Sequence, residues 1–406
     1  MINVIGLGYI GLPTALMFAS SGVEVVGTDC NKELVDTLKA GKLTFEEKGL
    51  NELFNKALKN GITFTNEYVS TDIYIIAVPT PYIKETKKID CKYVISAVES
   101  ALKVANKGAI LCIESTVSPC TMDRFVRPTV ENAGFKIGED IHLVHSPERI
   151  LPGNMVYELE YNCRTIGADS KEIGEKVKEL YLKFCKADIV VTNIKIAEMT
   201  KVVENTYRDI NIAFANELAQ ICHRDNMDVY EIINIANKHP RVNILQPGPG
   251  VGGHCISVDP WFLVGDYPDL VNIILVARNI NDNQPEYILK RIRKIMKESG
   301  IISVERIGLY GLTYKEDVDD VRESPTLQLL EKMDEHLAFG IKVFDPLINK
   351  KIVDNQYLDF DSFLNDVDMV VILVGHKHIK ENAIKLNGKT VFDTKNIFNS
   401  TNVFKL

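Results

Sequence analysis

The chain has 406 residues, 46% of them hydrophobic and 25% charged, with a formal net charge of −8. That is the composition of an ordinary globular protein with core enough for two or three domains. The acidic balance argues against a surface built for nucleic acid or an anionic membrane, and no apolar run approaches the length of a membrane span.

The N terminus begins a strand within two residues and has no charged leader, so no signal peptide is expected. Cysteines stand at Cys30, Cys91, Cys112, Cys120, Cys163, Cys185, Cys222 and Cys255, with neither a C-x-x-C pair nor metal-ligand spacing. Reduced thiols in a cytoplasmic protein, with no metal, are expected.

A short apolar strand, 2–5, runs into Gly6-Leu7-Gly8-Tyr9-Ile10-Gly11, and an apolar helix follows over 12–20. Strand, glycine turn and helix are the context in which G-x-G-x-x-G binds a dinucleotide. Gly6 makes the turn, Gly8 admits the pyrophosphate, and Gly11 packs the helix on the strand. A second strand, 24–28, ends at Asp29, 18 residues after Gly11. A carboxylate there meets the ribose hydroxyls and repels a 2′-phosphate, so NAD is favoured over NADP.

Strands follow at 62–65, 73–78 and 109–114, with helices at 32–40, 50–60 and 91–106. The alternation predicts a parallel doubly wound sheet, whose ligands lie beyond the strand C-termini. Thr80 and Thr116 stand at such ends, as cofactor donors or as caps of the next helix. After the strand 141–144 comes His145-Ser146-Pro147-Glu148-Arg149. Arg149 suits an anionic substrate and Glu148 suits orienting a water or hydroxyl; a surface ion pair is the plainer account. The polar stretch 82–90 reads as a mobile loop. A strand, helix and strand at 163–166, 171–184 and 189–191 complete the sheet.

From 194 to 224 there is neither proline nor glycine, and apolar residues recur at helical spacing, so one long helix is expected. Glu198, Lys201, Asn205 and Arg208 lie along one face. A solvated face with Glu198–Lys201 or Glu204–Arg208 pairs is the plainer account, but Asn205 among apolar neighbours points inward. A helix at 229–238 leads to His239 and Arg241, and a helical region covers 270–297. Between them, 248–261 reads Gly-Pro-Gly-Val-Gly-Gly-His-Cys-Ile-Ser-Val-Asp-Pro-Trp. Glycines let a backbone approach a ligand, and Cys255 is a candidate nucleophile with Asp259 four positions on.

The end of the chain alternates again: strand 306–310, the segment 312–325, helix 326–337, strand 341–344, helix 360–365 and strands 369–373 and 390–392. The fold class expected is α/β, two doubly wound Rossmann-like lobes joined by a helical central domain with a long connecting helix. The domains expected are 1–192 for NAD, 193–300 for a helical dimerisation domain and 301–406 for the substrate, with the site in the cleft.

With these segments in order, the sequence resembles the UDP-glucose/GDP-mannose dehydrogenase family over essentially its whole length. The matching stretches are 6–11, 78–81, 114–116, 146–149, Lys201 with Asn205, 252–259 and 315–325. The UDP-glucose branch usually has a lysine where this chain has Val258, and 252–262 is similar to the branch that oxidises UDP-N-acetylhexosamines, with UDP-N-acetyl-D-mannosamine foremost.

The resemblance implies an NAD-dependent four-electron oxidation of a C6 alcohol to a carboxylate. It makes Lys201 the base, Asn205 the holder of the developing alkoxide and Cys255 the nucleophile that gives a thiohemiacetal and then a thioester. Asp259 or Glu148 places the hydrolytic water. NAD meets Gly8, Tyr9, Ile10, Gly11, Asp29, Thr80 and Thr116, with Arg322 closing from the C-terminal lobe. The UDP-sugar meets Arg149, Ile150, Lys201, Asn205 and Arg208, then His239, the Gly252 backbone, Tyr314 and Lys315. In relatives the arginine at the place of Arg241 comes from a partner subunit, which implies a homodimer or higher oligomer seamed by the long helix. Alternative readings are a UDP-N-acetylglucosamine or UDP-glucose 6-dehydrogenase, a single-step hydroxyacid or 6-phosphogluconate dehydrogenase, and a non-catalytic NAD-binding protein.

Overall fold

The computed structural model describes residues 1–150, 152–253, 255–336, 338–398 and 403–406. His254, within the cysteine motif, lies outside the described residues. The chain divides into two compact units, Met1–Glu204 and Asn205–Leu406. The boundary falls within the long helix Ile194–Arg224, whose limits are those its proline-free pattern predicts.

The first unit is built on eight strands: β1 (Ile2–Ile5), β2 (Val25–Thr28), β3 (Thr63–Thr65), β4 (Ile73–Ile76), β5 (Ala109–Ile113), β6 (Ile141–His145), β7 (Arg164–Ala168) and β8 (Ile189–Thr192). Their order is β3-β2-β1-β4-β5-β6-β7-β8. The order reverses beside β1, between β2 and β4, which is where open α/β sheets bind ligands. Strands β1, β5 and β7 are buried throughout because helices cover both faces. The helix Gly11–Ser20 is buried along its whole length, and its Phe18 packs against Tyr181 and Phe184.

One expectation fails here. Strand β7 pairs with β6 antiparallel, and β8 then follows parallel to β7. Apolar pattern places a strand in a sheet without giving its direction. Three short helices also escaped the pattern: a π-helical turn at Met122–Val126 that runs into Arg127–Asn132, then Met155–Tyr161, then Asp259–Asp266. The stretch 82–90 is laced by its own backbone: Ile83 N donates to Lys88 O at 2.8 Å, and Asp90 N donates to Pro81 O at 2.7 Å.

The second unit holds a six-stranded parallel sheet: β9 (Ile307–Tyr310), β10 (Lys342–Phe344), β11 (Gln356–Tyr357), β12 (Met369–Ile372), β13 (Thr390–Asp393) and β14 (Val403–Lys405). Its order is β11-β10-β9-β12-β13-β14. The helical region expected at 270–297 is two helices, Ile273–Asp282 and Gln284–Glu298. They part at Asn283, because Pro285 cannot donate to a preceding turn. These helices and the end of the long helix share one core with the second sheet, in which Ala215, Ala219, Ile288 and Ile292 join Ile307, Leu309 and Val371.

Candidate active site

In the first unit the turn after β1 has the geometry a dinucleotide needs. Gly6 has φ +89°, and a Cβ there would stand 2.4 Å from the Ala77 carbonyl oxygen. A Cβ on Gly11 would stand 1.8 Å from the Gly6 oxygen, so only glycine allows the helix to start so close to the strand. A Cβ on Gly8 meets nothing within 4 Å, and Gly8 itself is exposed. The room is on the ligand's side. Asp29 accepts from Leu7 N and Asn31 N, both at 2.8 Å, which fixes the carboxylate while leaving lone pairs for two ribose hydroxyls. The residues present thus fit NAD. Tyr9 and Ile10 stand half-buried on the same turn.

The strand ends beyond β4 and β5 are laced together. The Thr80 hydroxyl donates to Thr116 O at 2.6 Å, and the Ser115 hydroxyl donates to Val78 O at 2.7 Å. Thr80 therefore caps no helix; it sets the spacing of two strand ends. Ile150 is buried beside Glu148 and Arg149 in sequence. Arg149 pairs with Glu204 at 3.0 Å and donates to the Thr165 hydroxyl at 2.7 Å. Among the described residues the pairs offered as the plainer account of the long helix do not form. Glu204 goes to Arg149, and Glu198 accepts from Cys120 N at 2.7 Å and Met122 N at 2.8 Å. Burial pushes the Glu198 carboxyl up to about 7 against those two donors. Lys201, on the same face, is 6% exposed, and its ammonium has no ion-pair partner among the described residues. An ammonium held in such a place without a counter-charge is costly.

In the second unit Asn205 donates to Asp259 at 2.6 Å, and both are buried. The long helix thereby grips the first residue of Asp259–Asp266. Cys255 lies one turn before that helix: its carbonyl accepts from Val258 N at 3.1 Å and Asp259 N at 2.9 Å. The thiol is half-buried and in no disulfide. The glycines before it are required by contact. A Cβ on Gly252 would meet Glu323 O at 2.6 Å, and one on Gly253 would meet the Tyr314 ring at 2.8 Å. Gly253 N donates to Arg322 O at 3.1 Å, so the segment 314–325 backs the cysteine loop directly. Burial pushes the Tyr314 hydroxyl up to about 12, with Asp320 adding to it. The Arg322 guanidinium is clasped by Asp320 and half exposed. Lys315 and Arg208 are partly exposed, while His239 and Arg241 stand exposed on the turn after the helix Val229–Ala236.

Sequence reasoning missed the supports of this loop. Gly248 N donates to Asn216 at 2.9 Å, and Gly248 O accepts from Gln284 at 3.0 Å. Asn216 also donates to Asn281, which in turn donates to Asp209. All five are buried. The signal was present: Asn281 interrupts an apolar stretch, and a buried amide needs partners, whereas Asn279 and Asn283 beside it are exposed.

Comparison with known proteins agrees with this geometry. Residues 1–185 match the UDP-glucose/GDP-mannose dehydrogenase family's NAD-binding domain, 195–283 its central domain and 308–400 its UDP-binding domain. The chain belongs to the UDP-glucose/GDP-mannose dehydrogenase family. Its NAD-binding domain holds the glycine turn, and NAD is the cofactor. Among relatives in this family, the UDP-N-acetyl-D-mannosamine dehydrogenase of Methanococcus aeolicus is 40% identical over 98% of this chain and 91% of its own. The NDP-N-acetyl-D-galactosaminuronic acid dehydrogenase of Ralstonia nicotianae is 37% identical over 99% of this chain and 97% of its own. The solved UDP-N-acetyl-mannosamine dehydrogenase of Staphylococcus aureus has a TM-score of 0.88 and 41% identity, covering 100% of this chain and 97% of that one. Among the described residues no helix is long and apolar enough to cross a membrane.

Proposed function

We propose that this dehydrogenase oxidises the C6 alcohol of a UDP-N-acetylhexosamine, UDP-N-acetyl-D-mannosamine foremost, to the carboxylate. The observation that carries the proposal is the Asn205–Asp259 hydrogen bond, which sets an amide and a carboxylate one turn from Cys255 in a chain whose relatives bear that substrate's name. Two NAD molecules, bound in succession on the glycine turn, supply the hydride acceptor for the two oxidations.

The chain's own residues do the rest. Lys201 takes the hydroxyl proton in the first oxidation, and the Asn205 amide steadies the oxygen as charge builds on it. The Cys255 sulfur adds to the aldehyde carbon as the carbonyl π bond opens and the thiol proton passes to the oxygen, which turns a carbonyl that cannot lose hydride into a thiohemiacetal that can. The second oxidation leaves a thioester. Water then bonds to the thioester carbon and the carbon–sulfur bond breaks with its electron pair on sulfur. One water proton restores the thiol and the other leaves to solvent. Glu148 and Asp259 are the carboxylates that orient this water.

The UDP group is assigned to Arg149, Ile150, Arg208, Tyr314 and Lys315 with the Gly252 backbone, and Arg322 to the cofactor. Domain limits of 1–192, 193–300 and 301–406 are supported by the three family matches. A homodimer is supported by Ile196, Val203, Tyr207, Phe214 and Ile221, apolar side chains about half exposed at helical spacing along the long helix. Within that dimer Arg241 serves the sugar-nucleotide site of the partner, and His239 is assigned to the UDP-sugar. A cytoplasmic setting fits a reaction drawing on NAD and nucleotide sugars.

The test is a substrate panel of UDP-N-acetyl-D-mannosamine, UDP-N-acetylglucosamine and UDP-glucose, with NADH absorbance counted against uronate formed. Two NADH per uronate with the mannosamine sugar preferred is expected. One NADH per sugar would mean a single-step dehydrogenase, and none would mean a binding protein.

A further inference from the structure

The first unit buries Glu148 beside two charged side chains, Arg164 and Glu114, that the chemistry above does not use. Arg164 is 4% exposed, Glu114 1% and Glu148 7%. The Arg164 guanidinium donates to Glu148 Oε2 through Nη2, and to Glu114 Oε1 through Nη1 at 3.3 Å. Tyr181 donates its hydroxyl to the same Glu114 oxygen at 2.9 Å, and the guanidinium lies over the Tyr181 ring, 4.1 Å from its centre. The other oxygen of Glu148, Oε1, accepts from Arg149 N at 2.6 Å.

The reversal of β7 makes this meeting possible. The register pairs Val144 with Ala168 and His145 with Gly167. Continued along both chains, it sets Glu148 across from Arg164. A parallel β7 would have carried Arg164, its first residue, to the other end of the sheet. The antiparallel step instead delivers a cation to the strand ends where ligands of such sheets bind.

We propose that Arg164, backed by Glu114 and Tyr181, is a positioning residue for the Glu148 carboxylate in hydrolysis of the Cys255 thioester. This rests on the reading of the function given above. With one Glu148 oxygen fixed by a backbone amide and the other by a guanidinium, the carboxylate has one orientation and keeps lone pairs with which to hold water. An arginine used only for stability would be a costly choice here, since buried ion pairs contribute little net stability over apolar residues of similar size. Burial pushes the Glu114 carboxyl up to about 7, with Arg164 pulling it down and Glu148 pushing it up, so a proton on Glu114 makes the trio neutral.

The experiment uses the full-length protein with NAD and the sugar nucleotide that wild type accepts. Arg164→Met removes the charge at similar length; Arg164→Lys restores a cation. In Arg164→Met the two oxidations proceed and the thioester accumulates. A burst of two NADH per active site is expected, then a steady rate lowered about 10- to 100-fold, with KM little changed. Intact mass on quenched samples shows the sugar nucleotide attached, and the attachment maps to Cys255. Arg164→Lys recovers part of the steady rate. Equal slowing of burst and steady phases with no adduct would overturn the proposal, as would an unchanged steady rate. If Arg164→Met does not fold, judged by NAD binding, Arg164→Lys carries the test by the same adduct and burst. If wild type itself gives fewer than two NADH per sugar, the functional reading fails first. If wild type gives two and the variants show no adduct, only the role of Arg164 fails.

Discussion

The two units begin their sheets with the same turn and use it for different ends. Strand β1 ends in Gly6 at φ +89° and β9 ends in Gly311 at φ +100°. In each, an aspartate just past the neighbouring strand accepts from the turn: Asp29 from Leu7 N, Asp345 from Leu312 N at 2.6 Å and Thr313 N at 3.1 Å. Then they diverge. The third position of the turn is the exposed Gly8 in one and the buried Thr313 in the other. Asp29 stays half-buried, whereas Asp345 is buried, accepts from Leu347 N at 2.8 Å and lies 3.2 Å from His376 Nε2. The strand–glycine–aspartate turn is therefore first a structural device. It becomes a cofactor site where a side chain is left out and the aspartate keeps lone pairs to offer.

Five changes test that contrast, the largest first. Asp345→Ala orphans three backbone donors and is expected to cost the second unit about 3–4 kcal/mol in urea unfolding, with NAD affinity unchanged. A loss under about 1 kcal/mol would show that the clasp is dispensable. Burial works to raise the Asp345 carboxyl, but His376 and the backbone donors hold it below the usual carboxylate range. Its contribution is therefore present above the ordinary aspartate pKa and lost as pH falls further.

Gly8→Val should leave the melting temperature in place and weaken NAD about 100-fold or more in a binding titration, because the added side chain fills only the ligand's space. Binding at wild-type strength would refute the pyrophosphate assignment. Gly311→Val, whose Cβ would stand 2.5 Å from Val374 Cβ, should destabilise instead.

Glu114→Gln sets the buried acid of the first unit against Asp345. Glu114 is raised from 4.5 to about 7, so its share of stability is full below pH 4.5 and lost as pH rises through 7, opposite in sign to Asp345. Between pH 5 and 8 wild type should lose on the order of 2 kcal/mol relative to this variant. A constant difference would contradict the raised value. Asp29→Ala has the smallest expected effect, about 10-fold weaker NAD with stability nearly unchanged; unchanged affinity would remove it from the ribose.

Much of this was readable from residue order. The glycine turn, Asp29 and the limits of the long helix follow from spacing, because backbone sterics and helical period act locally. The inward position of Asn205 was readable too, since an amide among apolar neighbours needs a partner. The direction of β7 was not, and with it went the meeting of Arg164 and Glu148, which depends on a register between strands and leaves no periodic mark. The helix Asp259–Asp266 was hidden by its brevity and by Pro260 at its start, which reads equally as a loop. Asp345 carried no signal beyond lying after a short strand.

The most direct measurement concerns Cys255. In Cys255→Ala, uronate made from UDP-N-acetyl-D-mannosamine is assayed beside NAD affinity. The covalent route predicts that uronate formation falls by about 1,000-fold or more while NAD binds as in wild type. Uronate production near the wild-type rate, with two NADH for each, would contradict it.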